Sequence, residues 1–241
     1  MARIDGRAND QLRPVEILPG INRFAEGSCL IRCGNTHVLC TASVEERTPP
    51  HVPEGEGWVT AEYSMLPRAN RERSRRDISK GKLSPRSAEI QRLVGRALRA
   101  AVDLKKLGAR TITIDCDVLQ GDGGTRTASV TGGFVALSYA CWKLVEEGVI
   151  PEMPITTCVA AVSAGIVDDV PMLDLCYEED SSAMVDLNCV MNHEGEIIEL
   201  QGTGEGRAFT IAEQRQLVDL CAKGIREIQA IQKAVLEGGD A

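Results

Sequence analysis

Apolar and β-branched residues fill 13–48, and two runs, 28–33 and 37–42, flank Gly34-Asn35-Thr36. That punctuation predicts strands joined by a hairpin turn. A Pro- and Gly-containing loop covers 49–57, and 58–63 reads as another short strand. From 64 to 84 the chain is polar and basic with no apolar period, so a mobile loop is expected. A helical period follows. Ile90, Leu93, Val94, Ala97, Leu98, Ala101 and Val102 share one stripe, with Ser84 and Pro85 at its start and Gly108 at its end. Across 110–120, Ile112, Ile114, Cys116 and Val118 alternate with polar residues, which predicts a half-buried strand. Gly121-Asp122-Gly123-Gly124 closes it. A second helix then carries Val130, Phe134, Leu137, Cys141 and Leu144 on one face.

The carboxyl-terminal third repeats the order. Strands are expected at 156–162, 172–176 and 185–191, the last pairing with 196–201 around Asn192-His193-Glu194-Gly195. A long helix runs from Thr210 to about Val235, with Thr210 and Glu213 spaced as a capping box. Strands, hairpin and amphipathic helix thus occur twice, over about 13–107 and 156–236. The expectation is an α+β fold, a single domain over 1–241, built from two pseudo-repeats. The strand, glycine turn and helix of 110–147 join them.

Composition narrows the class. With 43% hydrophobic residues, the chain can build a core and is not globally disordered. No uncharged apolar run reaches the ~18 residues of a membrane span. No apolar segment follows Met1, so no secretory signal is expected. Nine cysteines, an odd number with no Cys-x-x-Cys pair, read as reduced, buried thiols of a cytoplasmic protein. The three histidines lack ligand spacing, which argues against a zinc site or a Ser-His-Asp triad. The formal charge of −8 conceals a basic block: 68–106 holds thirteen basic and four acidic residues, a net +9, leaving −17 elsewhere. The block is either a solvated loop and helix face or a footprint for a polyanion; its densest part, 68–76, is rich in arginine, the better fork for phosphate, and favours nucleic acid. Only 3% of residues are aromatic, so base-stacking platforms are not expected.

Three places could carry chemistry. Gly121-Asp122-Gly123-Gly124-Thr125-Arg126-Thr127 joins flexible glycines, a helix N-terminus and a guanidinium, a combination that either binds an anion or is a plain turn. It lacks the Gly-Lys-Ser/Thr ending of a nucleotide-hydrolysing P-loop. Arg86 lies four residues before Ile90, in line with the apolar stripe, and needs either a carboxylate or an anionic ligand. The acidic run 173–188 places Asp174 between leucines, and Asp186 and Asn188 on one face of a strand. If 172–176 and 185–191 are neighbours, Asp180 and Asp186 converge. Paired carboxylates hold Mg²⁺ or move a proton; a solvated acidic loop is the alternative.

Longer stretches carry a resemblance: Gly6-Arg7 with Arg13-Pro14, Ala25-Glu26-Gly27-Ser28, Gly57-Trp58-Val59-Thr60-Ala61-Glu62-Tyr63, Met65-Leu66-Pro67-Arg68, Asp115-Cys116-Asp117-Val118-Leu119-Gln120 and Asp122-Gly123-Gly124-Thr125-Arg126-Thr127-Ala128-Ser129. Glu179-Asp180-Ser181, Asp186 and Glu199-Leu200-Gln201-Gly202-Thr203 extend it through the second half. Together they resemble the ribonuclease PH family, bacterial phosphorolytic 3′-to-5′ exoribonucleases. The resemblance implies the duplicated ribosomal-protein-S5-domain-2-like fold and a ring homohexamer, a trimer of dimers. It implies a nucleotidyltransferase that uses inorganic phosphate to remove 3′-terminal nucleotides of precursor tRNA and other RNA as nucleoside diphosphates, and adds nucleotides in reverse. DNA is not an expected partner. By resemblance, Arg86, Gly124, Thr125 and Arg126 hold phosphate. Asp180 and Asp186 are the catalytic carboxylates and hold Mg²⁺, and Arg68, Arg73 and Arg76 contact tRNA. Around Arg86 the family reads Gly-Arg-Thr, whereas this chain has Pro85-Arg86-Ser87. A non-catalytic ring subunit that binds RNA without cleaving it is the alternative; such subunits commonly lose the arginine or the carboxylates, and here both are present.

Overall fold

The computed structural model describes residues 3–238, without the side chains of Ile78 and Lys80. The first half forms β1 (Val15–Pro19), β2 (Gly27–Cys33), β3 (Thr36–Glu45), β4 (Trp58–Met65), α1 (Pro85–Arg99), α2 (Leu104–Leu107) and β5 (Thr111–Gln120). Then come α3 (Thr125–Glu146), β6 (Val159–Val167), β7 (Val170–Leu173), α4 (Tyr177–Asp180), β8 (Val185–Asn192), β9 (Ile197–Thr203) and α5 (Ile211–Glu237). One sheet has the order β1-β2-β3-β5-β4, antiparallel except for the parallel β4–β5 pair. The other is antiparallel, with the order β7-β6-β8-β9. The predicted hairpin turn falls at Gly34, between β2 and β3, and its counterpart lies between β8 and β9.

Helix α3 is the shared centre. It packs on β2 and β3 of one sheet and on β6 of the other, so it is buried almost all round rather than on one face. Its length and apolar character would suit a membrane span, but it lies in the protein core. Close approach to the first sheet requires Gly132: a Cβ there would stand 2.7 Å from Ile31 Cγ2 and 2.9 Å from Cys40 Sγ. Helix α1 covers β4, and α5 covers β6, β7 and β1.

Several boundaries differ from those expected. The first helix stops at Arg99 instead of Gly108. Asp103 turns its carboxylate onto the N–H groups of Lys105 and Lys106 and starts α2 separately. The Ala101 carbonyl is taken by the Thr156 N–H at 2.8 Å, and Val102 bridges to Ile155, so the last apolar positions of the stripe serve the core outside the helix. The expected loop at 64–84 is shorter: β4 runs through Met65, and a 3₁₀ turn occupies Asp77–Lys80. Strand β6 extends to Val167 and is buried on both faces, which removes the alternation that marks a half-exposed strand. Asp174 lies just beyond β7, with φ +52°, and not within a strand. Strands β7 and β8 are not neighbours, because β6 runs between them.

Candidate active site

The strand-to-helix turn at 121–124 places the site. Gly124, at φ +65°, is the N-cap of α3 and offers no side-chain cap, so the first N–H groups of the helix stay available to an anion. Gly123, at φ +74°, leaves no room for a Cβ, which would lie 2.4 Å from the Leu175 carbonyl oxygen. Thr125 is buried, and its hydroxyl is 2.8 Å from the Tyr63 hydroxyl. Arg126 is half-buried. It donates from Nη1 to Gln201 Oε1 at 2.7 Å and to Glu89 Oε1 at 3.4 Å, while Gln201 Nε2 donates to the same Glu89 oxygen at 3.1 Å. Two elements, α1 and β9, thus fix the guanidinium at the head of a third.

Arg86, in the first turn of α1, is exposed and avoids the desolvation that a position on the apolar stripe implied. Its charge bears on the buried Tyr63 hydroxyl and on Asp180. Tyr63 therefore stands between Arg86 and Thr125. Burial raises the phenol's pKa, opposed by the Thr125 hydrogen bond and the Arg86 charge, and keeps it a neutral hydroxyl.

Asp180 ends α4 and Asp186 lies in β8, and the charge of Asp180 reaches Asp186 although β7 and β8 are not neighbours in the sheet. Asp180 is open to solvent on its outer side. The walls around its carboxyl still raise its pKa, with Arg86 and Arg126 acting in the opposite direction. Asp186 is pushed up to about 6, first by burial and then by the charge of Asp180, against the pull of Arg126. Asn188 Nδ2 donates to Asp186 Oδ2 at 3.0 Å, from the shared face expected of alternate strand residues. Glu205, just past β9, adds negative charge toward both carboxylates. Among the described residues no three His, Cys, Asp or Glu side chains form a metal cage. The oxygen donors of Asp180 and Asp186 nonetheless fit, by their chemistry, a cation such as Mg²⁺, which takes one or two protein carboxylates and keeps its waters.

The basic residues 68–76 are mostly exposed and form a neighbouring rim. Arg68 Nη1 donates to the Arg71 carbonyl at 2.9 Å, and Arg71 pairs with Glu178 at 2.6 Å. The charge of Arg76 reaches Asp117 of β5. Arg68 and Arg71 line a cavity of about 770 Å³ with Asp122 and Glu178. Tyr63, Glu89 and Gln201 carry no role in the sequence reading, although Tyr63 and Gln201 stand in stretches that carry the resemblance. Only Tyr63 left a signal: it follows Val59 and Ala61 on the buried face of β4, where a hydroxyl needs a partner. Asp174 belongs to a buried ion pair with Arg13, at 2.6 Å, and not to the carboxylate pair.

Comparison with known proteins agrees with this layout. The 3′ exoribonuclease family matches through its domain 1 over residues 11–142 and its domain 2 over residues 157–223. Ribonuclease PH of Syntrophomonas wolfei is 54% identical over 237 residues, covering 98% of this chain and 99% of that protein. The ribonuclease PH of Bacillus pumilus is 57% identical over 235 residues and covers 97% of both. Among solved structures, an archaeal exosome core superposes with a TM-score of 0.77 at 25% identity, over 96% of this chain and 91% of its own. The chain belongs to the 3′ exoribonuclease family, and it is a phosphorolytic 3′-to-5′ exoribonuclease of the ribonuclease PH type, acting on the 3′ ends of RNA.

Proposed function

We propose that the chain trims the 3′ trailers of precursor tRNA in the cytoplasm, as a homohexameric ring assembled from three dimers. One observation supports the site most: Arg86 and Arg126 both act on Asp180, and Asp180 on Asp186, at the open N-terminus of α3. The attacking phosphate is an anion and so is the linkage it attacks, so the site must offset negative charge at close range. Arg86, Arg126, Gly124 and Thr125 hold the phosphate. One of its oxygens bonds to the terminal phosphorus, the bond to the preceding 3′ oxygen breaks, and a nucleoside diphosphate leaves. The freed 3′ oxygen takes a proton, and Asp180 helps deliver it. Mg²⁺ held by Asp180 and Asp186 would neutralise charge on the reacting phosphoryl group. Arg68, Arg73 and Arg76 track the RNA backbone.

The test is 3′-end release from a precursor tRNA with Mg²⁺, with and without inorganic phosphate, beside sedimentation to measure the assembly. Nucleoside diphosphates that appear only with phosphate, from a particle of six chains, support the proposal. Monophosphates released regardless of phosphate make water the nucleophile and remove the phosphate-site assignment. RNA retained without cleavage indicates a binding subunit. An Asp186→Asn enzyme with full metal-dependent activity removes Asp186 from the metal site.

A further inference from the structure

The turn at 121–124 is held from outside. The Gly121 N–H donates to the Ala69 carbonyl at 2.8 Å. The Thr36 hydroxyl accepts from the Asp122 N–H at 2.9 Å and donates to the Gly123 carbonyl at 2.6 Å, bridging both peptides. The Asp122 carbonyl accepts from the Arg13 guanidinium, and the Asp122 carboxylate accepts from the N–H of Tyr177, the first residue of α4, at 3.2 Å. Arg13 also grips Asp174 with Nε at 3.0 Å, Nη2 at 2.6 Å and its backbone N–H at 2.8 Å. Asp174 sits three residues before α4. Two continuous routes therefore run from the phosphate-side turn to the segment that ends in Asp180. One passes through the Asp122 carboxylate, the other through Arg13 and Asp174.

Thr36 is fully buried and Arg13 is 5% exposed, so neither is presented to a substrate. Gly123 and Gly124 give the turn the softest backbone available, and a soft turn holds a helix end in place only if other groups restrain it. We propose that Arg13 and Thr36 are positioning residues for the phosphate step: gripping the turn from two sides, they hold the N-terminus of α3 and Arg126 opposite Asp180. The inference rests on the phosphate-site reading above.

Steady-state kinetics with each substrate varied at saturation of the other test it. Thr36→Val keeps shape and removes both turn contacts, and Arg13→Lys keeps charge without the fork. Both should raise the KM for phosphate about tenfold, as expected for a misplaced binding group, and move the KM for RNA by less than about twofold. Arg13→Lys should recover part of what Arg13→Met loses. Should Arg13→Met fail to fold, Thr36→Val decides, because it leaves no buried charge unpaired. Parental KM values for phosphate in Thr36→Val and Arg13→Lys overturn the inference. So does an equal rise in both KM values with a lowered Tm, which marks general loosening. A parent enzyme indifferent to phosphate overturns the phosphate-site reading itself, and the inference with it.

Discussion

Asp186 has the clearest titration consequence in the site. Burial and the charge of Asp180 push it from 3.8 up to about 6, so the folded protein binds this proton more tightly than the unfolded chain. The stability it contributes is full below about pH 4 and lost as pH rises through about 6. Without divalent cation, Asp186→Asn should therefore raise stability by up to ~3 kcal/mol at pH 8 and by little near pH 4. Denaturant midpoints at the two pH values, with chelator present, check this; an equal gain at both would refute it. Arg86 is exposed and not part of the core. Arg86→Ala should leave Tm unchanged while kcat/KM for phosphate falls roughly 10²–10³-fold, the scale of losing one fixed charge at a reacting anion. These charged positions were legible in sequence because each breaks a local pattern: an arginine at a stripe's end, a carboxylate alternating with leucine. Gln201 and Glu89 break none. Their meeting with Arg126 depends on how β9 passes α1, which no local spacing encodes.

Elements fared according to how much of their surface faces water. Helix α5 shows one buried stripe, and its start was readable to the residue: the Thr210 hydroxyl accepts from the Glu213 N–H at 3.2 Å, and Glu213 accepts from the Thr210 N–H at 2.7 Å. Thr210→Ala should lower stability by about 1 kcal/mol, measured by thermal melting. Helix α3 is enclosed almost all round and strand β6 on both faces, so their periodicity is blurred and their partners were not legible. Gly132 records that enclosure. Gly132→Val would push β2 and β3 off the helix and should cost about 3 kcal/mol, at the upper end of overpacking effects, with Ile31 and Cys40 the residues displaced. The end of α1 misled for another reason. Ala101 and Val102 are buried, as the stripe requires, but through contacts with 155–156 made after the helix has stopped.

Across the whole molecule, the N-terminal segment ties the two halves together. Arg3 is 4% exposed and donates to both oxygens of Glu179, at 2.8 and 2.6 Å, while Arg13 carries the link to Asp174 and the turn. Arg3→Ala leaves the buried Glu179 with the Cys176 N–H, at 3.1 Å, and a more distant cation, Arg7, at 3.7 Å. It should destabilise the fold by ~3 kcal/mol, near the lower end for a broken buried pair. The basic rim acts at longer range. Replacing Arg68, Arg73 and Arg76 with alanine should weaken RNA binding and reduce the slope of log affinity against log salt by about two. The duplicated plan was legible because order along the chain survives folding. The insertion of β5 between β3 and β4 was not, because strand order is a property of the sheet. All nine cysteines are free, and they are distributed through both layers: Cys40 and Cys116 on β3 and β5, Cys189 and Cys221 on β8 and α5. Neighbouring thiols, Cys116 and Cys29 beside Cys40 and Cys189 beside Cys221, and then burial raise the pKa of both, so they react only when their surroundings open. The protein thus contains two internal clocks. The labelling rate at Cys40 times the opening of one sheet, and that at Cys221 times the other, so partial unfolding of either half can be followed without adding a probe.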